Sequence, residues 1–371
     1  MAVALFDCRI DPAIAAGLDP VWASGRLAAG PAVSELEGRL SALVGGRPVV
    51  ATSDMTQALA IALRLAGVVP GDEVVTQALN CMSSNSAIAM VGATPVWVDV
   101  DAETACVDLD DLRACIGPRT RAVVIYHVAG YVGDLAALRR VCADAGVPLI
   151  EDANNALGAS ADGMPVGSVG DFAVFSFYAN RQINAVEGGA VICRDEADAS
   201  HARRLRRFGI DMASFRRPDG EIDPAIDVPE IGYSASMPNV NAALACLQFD
   251  DLHSRIERNR ANAAFLSAAL RDRDGLTFVR EREGSRGVFW VALVRSTRRD
   301  ALLADLKARG IQVSKLHQRN DAYSGFGARP RILPGTTALE HEMLALPCGW
   351  WLSPADLETI INAVRRYLIA P

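Results

Sequence analysis

The run Ser176-Phe177-Tyr178-Ala179-Asn180-Arg181-Gln182-Ile183-Asn184-Ala185-Val186-Glu187-Gly188-Gly189 decides how this chain is read. An apolar strand candidate, Phe172 to Phe177, runs into it, and another, Ala190 to Cys193, leaves it. The one long cationic side chain within it is Arg181. Guanidinium stays protonated up to a pH of about 12 and only donates hydrogen bonds, so it is a poor nucleophile and a poor base. Two roles remain open for it: pairing with a phosphate or carboxylate through its planar fork, or bracing loops as a structural arginine. The whole chain of 371 residues holds only two lysines, Lys307 and Lys315.

Outward from this run, residues from about Val49 to Val191 alternate short apolar runs with amphipathic stretches, the pattern of parallel βαβ units. Further strand candidates are Pro48 to Thr52, Glu73 to Thr76, Pro95 to Val100, Ala122 to His127 and Val147 to Asp152. Helical spacing marks Thr56 to Leu65 and Leu135 to Ala145. From about Ala235 the pattern changes to a long helical stretch reaching Leu270, strands near Leu276 to Val279 and Val288 to Val294, and helices at Arg299 to Arg309 and Pro354 to Tyr367. The expected architecture is α/β: a large wound domain over residues 1–235 with a mainly parallel sheet, and a smaller C-terminal α+β domain over residues 236–371. The Pro-, Asp- and Arg-rich segment Asp211 to Glu230 reads as an exposed excursion between them.

A hydrophobic content of 50% supports a sizeable core, and a net charge of -7 argues against nucleic acid as a partner. The eight cysteines include no C-x-x-C pair, which suits reduced thiols in the cytoplasm. No apolar run approaches the roughly 20 residues of a membrane span, and the N-terminus lacks a basic leader region, so neither membrane insertion nor export is expected. Nor do the histidines and cysteines show metal-ligand spacing.

Several motifs, in order along the chain, carry a specific resemblance. They are Gly30-Pro31-Ala32-Val33-Ser34-Glu35-Leu36-Glu37, Pro70-Gly71-Asp72-Glu73-Val74-Val75, Gly92-Ala93-Thr94-Pro95-Val96-Trp97-Val98-Asp99-Val100-Asp101, Glu151-Asp152-Ala153-Asn154-Asn155-Ala156-Leu157-Gly158 and Glu187-Gly188-Gly189. With them the chain resembles the DegT/DnrJ/EryC1/StrS family of sugar aminotransferases, enzymes of fold type I that use pyridoxal phosphate (PLP). The resemblance implies a homodimer with cofactor clefts at the subunit boundary and a nucleotide-linked keto-sugar as substrate. Arg181 stands where the family has the lysine that holds PLP as an imine.

The same resemblance assigns the site. Asp152, at the C-terminal end of an apolar strand, matches the carboxylate that faces the pyridinium nitrogen, and a protonated ring is what makes the cofactor an electron sink. Ser176 and Thr56 match phosphate ligands, and Asn155 matches a glutamine or histidine near the cofactor. Met55 replaces the usual glycine beside Thr56. Asp54, before it, reads either as a carboxylate opposing a dianion or as an ordinary helix cap. Cys81 replaces the aromatic residue that stacks on the ring, and Ser234 replaces the asparagine that reaches the neighbouring subunit's phosphate. The polar run Ser83 to Ser86 either supplies replacement donors or opens the next helix.

Near the C-terminus, Lys315-Leu316-His317 matches a family segment that approaches the active site, making Lys315 and His317 the candidates for proton transfer. Alternation along a strand-like Ile311 to Leu316 sets against this an outward-facing Lys315. His127 ends a strand and is a candidate for the substrate side, whereas His201, His253 and His341 read as surface residues. Within the family, sugar 3-dehydratases replace the same lysine by histidine and hold pyridoxamine phosphate (PMP) without an imine. The leading expectation is therefore an enzyme on a nucleotide keto-sugar with PLP or PMP bound noncovalently and a dehydratase-like or otherwise altered chemistry. Two alternatives stand beside it: a noncatalytic ligand-binding relic, and a lysine-to-arginine variant of a working aminotransferase.

Overall fold

The computed structural model describes residues 2–271, 274–327 and 329–369. Its centre is a seven-stranded sheet whose strands, in chain order, are β1 (Val49–Thr52), β2 (Glu73–Gln77), β3 (Thr94–Val98), β4 (Thr120–Tyr126), β5 (Leu149–Asp152), β6 (Phe172–Ser176) and β7 (Gly189–Ile192). Their spatial order is β1-β7-β6-β5-β4-β2-β3. Strands β2 to β6 pair in parallel, and β7 alone runs against its neighbours β1 and β6. Every residue of β1, β5, β6 and β7 is buried. That is the expected state of apolar strands covered by helices on both faces.

The register brings the site together. Asp152, at the end of β5, lies beside Tyr126 of β4 and Val174 of β6. Gly189, at the start of β7, is paired with Ser176 on one side and Thr52 on the other. The helix Met55–Leu65 begins directly after β1, with Asp54 as its cap accepting from the Gln57 N–H at 2.9 Å. A Cβ on Gly189 would lie 2.5 Å from the Asp54 carbonyl carbon and 2.6 Å from the Met55 nitrogen. Only glycine lets the helix start press so closely on the sheet.

The C-terminal lobe is a three-stranded antiparallel sheet, β8 (Thr277–Phe278), β9 (Ala292–Arg295) and β10 (Met343–Leu346), with β9 in the middle. The helices Leu252–Leu270, Arg299–Ala308 and Pro354–Ile369 cover it. The last of them starts with a reciprocal cap, Ser353 Oγ accepting from Asp356 N–H and Asp356 Oδ2 accepting from Ser353 N–H.

Several expectations are corrected here. The long helix from Ala235 is two helices, Asn239–Cys246 and Leu252–Leu270, separated by a short turn at Phe249–Asp251. The strand expected from Val288 starts only at Ala292, because Phe289 turns the backbone into the left-handed region at φ 46°. Strand β10 has no counterpart among the expected strands. Ile311 to Leu316 is no continuous strand: it makes isolated bridges from Ile311 to Val3 and from Ser314 to Ala345, then turns at Leu316, whose φ is 59°. Packing also crosses the expected boundary at residue 235. Met237, Leu244, Leu252 and Ile256 join the core of the large lobe, while Val3 packs into that of the small one. Asp211 to Glu230 runs largely exposed over the surface.

Candidate active site

A cleft of about 860 Å³ opens above the C-terminal ends of β1 and β6. Ser53 to Thr56, Cys81, Ser176, Arg181, Trp290 and His317 line its walls. Of the residues expected at the site, Met55, Thr56, Cys81, Ser176, Arg181 and His317 therefore meet in one place. Asp152 and Asn155 lie buried just beneath them, joined to the lining by hydrogen bonds.

Asp152 is fully enclosed. Its Oδ1 accepts from the Asn154 N–H at 3.2 Å and from Asn154 Nδ2 at 2.9 Å. Its Oδ2 is buried without a hydrogen bond of good geometry, although the Ser84 hydroxyl, itself unpartnered, is close enough to favour the carboxylate. Burial pushes its pKa up, opposed by the nearby Ser84 hydroxyl and by Asn154. Such an oxygen is costly to leave unpaired, and a cationic N–H is the group that would satisfy it best.

Arg181 reaches the same network from above. Its Nη2 donates to Asn154 Oδ1 at 3.1 Å, another N–H goes to Asn180 Oδ1, and its guanidinium carbon sits 4.7 Å from the centre of the Trp290 ring. The Trp290 indole in turn donates to the Asn180 carbonyl at 2.7 Å, fixing the loop that carries Arg181. Asn154 thus links Arg181 to Asp152. Arg181 is 8% exposed and its Nε is unpartnered; the Asp152 charge acts on it from beyond Asn154. Burial lowers its pKa from the usual value.

A second network fixes His317. The Tyr126 hydroxyl oxygen accepts from Asn155 Nδ2 at 2.6 Å and from the Ala129 N–H at 3.2 Å. Its own proton is then free to go to His317 Nε2, 3.1 Å away, which assigns the His317 proton to Nδ1. Burial first, and the Arg181 charge second, push the His317 pKa down to about 4. His317 is neutral at physiological pH.

At the other wall, Asp54 spends both carboxylate oxygens locally, Oδ1 on the Gln57 N–H and Oδ2 on the Ser53 hydroxyl at 2.9 Å. It is the helix cap of the two readings. Burial and then Asp54 raise the pKa of the neighbouring Glu187, which also lines the cleft. Cys81 stands at the N-cap position of the helix Met82–Met90 without a capping side-chain hydrogen bond, so the polar run behind it opens that helix, and Ser83 also lines the cleft.

Three expected residues lie elsewhere. Lys315 is about half exposed and pairs with Asp300 at 2.7 Å on the surface, because the turn at Leu316 sends His317 inward and leaves Lys315 outside. Ser234 is exposed and absent from the lining of its own chain's cleft, where Ser236 stands instead. His127 faces a different cavity and contacts Glu151 at 3.3 Å. Sequence reasoning missed Asn154, Tyr126 and Trp290. Only Asn154, inside the quoted motif beside Asp152, carried a signal that could have found it.

The residues present fit PLP or PMP at two points. Asp152 offers an orphaned oxygen for a ring nitrogen, and Ser176 with the first turn after Asp54 offers donors for a phosphate. They depart from it at Cys81, which provides no ring to stack on.

Comparison with known proteins bears on the family and the fold. Residues 9–365 match the model of the DegT/DnrJ/EryC1/StrS aminotransferase family. The aminotransferase TlmJ from Streptoalloteichus hindustanus is 32% identical, superposes with a TM-score of 0.92 and is matched over 99% of both chains. The sugar aminotransferase CalS13 from Micromonospora echinospora is 32% identical at a TM-score of 0.91, with 98% of this chain and 99% of that one covered. A structure of DesI in the presence of its TDP-sugar product is 31% identical at a TM-score of 0.88, covering 99% and 93%. Both the fold, that of the type I aminotransferases, and the ordered motifs run through nearly the whole length, so the chain belongs to the DegT/DnrJ/EryC1/StrS aminotransferase family.

Proposed function

We propose that this chain binds PLP or PMP noncovalently in the cleft and acts there on a nucleotide-linked keto-sugar. The observation that carries the reading is the buried, unpartnered Oδ2 of Asp152 beneath the cleft. The cofactor, when bound, supplies an electron sink for a carbanion. Asp152 would hold the proton of the ring nitrogen, while Thr56 and Ser176 would hold the phosphate. Arg181 cannot take the lysine's part, and Lys315 is turned away, so no described lysine is at hand to fix the cofactor covalently. His317, neutral and hydrogen-bonded to Tyr126, is the group able to move a proton in the cleft. A reaction that needs no lysine, such as loss of a hydroxyl, suits this set better than transamination. That the product of DesI is a TDP-sugar supports the substrate class.

We further propose a cytoplasmic homodimer. Eight free cysteines support the compartment, and an exposed Ser234 outside its own cleft supports the partner; a monomer by light scattering would remove the second. A ligand-binding protein without catalysis is the second reading, favoured by Cys81 in place of a stacking ring.

One experiment separates the readings. Arg181→Lys, supplied with PLP, glutamate and nucleotide keto-sugars, is compared in backgrounds with Asp152 and with Asp152→Ala. Transamination only when the restored lysine and Asp152 are present together is the expected result. Failure of every variant to bind PLP or PMP would leave the noncatalytic reading.

A further inference from the structure

Asn154 is buried, and both ends of its side-chain amide go to charged neighbours: Oδ1 accepts from Arg181 Nη2 at 3.1 Å, and Nδ2 donates to Asp152 Oδ1 at 2.9 Å. A cationic donor on one side and a carboxylate on the other leave the amide a single orientation. Its backbone N–H also donates to Asp152 Oδ1, at 3.2 Å, so Oδ2 is the oxygen left for a ligand. Arg181 is braced on its far side by Asn180 and the Trp290 face; it is drawn to the Asp152 charge, and its own charge is felt at Glu187. A fully buried carboxylate is costly to keep ionised unless donors and an opposite charge attend it. Facing Asp152 from other elements are Tyr126 and His127 at the end of β4, Ser84 of the helix Met82–Met90, and Arg181 beyond Asn154. Of these only Arg181 carries a permanent positive charge.

We propose that Asn154 is a positioning residue that ties Arg181 to Asp152, so that the guanidinium holds the carboxylate ionised with Oδ2 aimed at a ring nitrogen bound in the cleft. This role rests on the cofactor reading above and applies to PLP and PMP alike, because both carry that nitrogen. It gives Arg181 a part in the site that calls for charge and a donor fork rather than for a nucleophile or a base. A neutral side chain at residue 181 would leave Asp152 without its fixed counter-charge.

The test begins with the titration of Asp152 in the purified chain without ligand, followed by NMR of aspartate isotopically labelled at its side-chain carboxyl and assigned by the signal lost in Asp152→Asn. Arg181→Gln and Asn154→Leu should each move the Asp152 midpoint to higher pH, as loss of a cation or of donors to the charged form requires. Arg181→Lys, which keeps a charge, should move it less than Arg181→Gln. Binding is then measured with pyridoxine phosphate and with benzyl phosphate, which has a ring and a phosphate but no ring nitrogen. Arg181→Gln and Asn154→Leu should each weaken the first about tenfold and the second hardly at all, and the double variant should lose less than the product of the single losses, because both act through one link. An unmoved Asp152 midpoint in either variant, or equal losses for the two probes, would overturn the role. Failure of pyridoxine phosphate to bind the unaltered chain would overturn the cofactor reading, and the Asp152 titration would still decide whether Arg181 holds that carboxylate.

Discussion

At His317 the protonation state is set by what surrounds it. Tyr126 presents its proton to Nε2, the ring is partly buried in the cleft wall, and Arg181 adds a nearby positive charge, so the neutral form is favoured in the folded chain. Its folded pKa of about 4 lies below the unfolded value near 6.5, so the unfolded chain binds the extra proton first as pH falls. Stability contributed by neutral His317 is complete above about pH 6.5 and is lost as the pH falls towards 4. Urea midpoints measured between pH 7 and 4 should show this loss, and His317→Asn should make that part of the curve flatter. Curves that superimpose would mean that His317 titrates alike in both states.

Among the elements, the start of the helix Met55–Leu65 against β7 is the tightest constraint in the site. Gly189→Ala would drive a methyl into the backbone at Asp54 and Met55, whereas Gly188→Ala would meet mainly the flexible end of Met237 at 2.8 Å. The first should cost about 1–3 kcal/mol by overpacking and weaken phosphate binding; the second should be milder. Chemical denaturation of both variants, with phosphate-ligand affinity beside it, distinguishes them, and equal effects would count against the packing argument. The same region shows what the sequence can reveal. The central strands were legible because a sheet buried on both faces requires continuous apolar runs; Asp152 stood at the end of one of them, whereas Thr56 and Ser176 were legible only through the family resemblance. The helix break after Cys246 was not, because Leu247, Gln248 and Phe249 carry no proline or glycine to mark it. Nor was Trp290: its role comes from a long-range hydrogen bond to Asn180, and no local pattern encodes that contact. The outward turn of Lys315 depends on a left-handed Leu316, a conformation disfavoured for that residue type and imposed by the packing around it.

For the molecule as a whole, the family's fold runs through nearly the whole chain, with Arg181 in the lining of its cleft. The large lobe brings Asp152, Ser176 and the helix start together, the small lobe brings His317 and Trp290 over them, and Arg181 lies between. The most direct measurement adds PLP to the purified chain, reduces it with borohydride, and weighs the intact protein after dialysis against an untreated portion. PLP should bind, show the absorbance of a free aldehyde and dialyse away, leaving the mass unchanged, while Arg181→Lys under the same treatment should gain one reduced cofactor at residue 181. A chain that never binds PLP, or an unaltered chain that carries reduced cofactor on Lys315, would contradict noncovalent binding in this cleft.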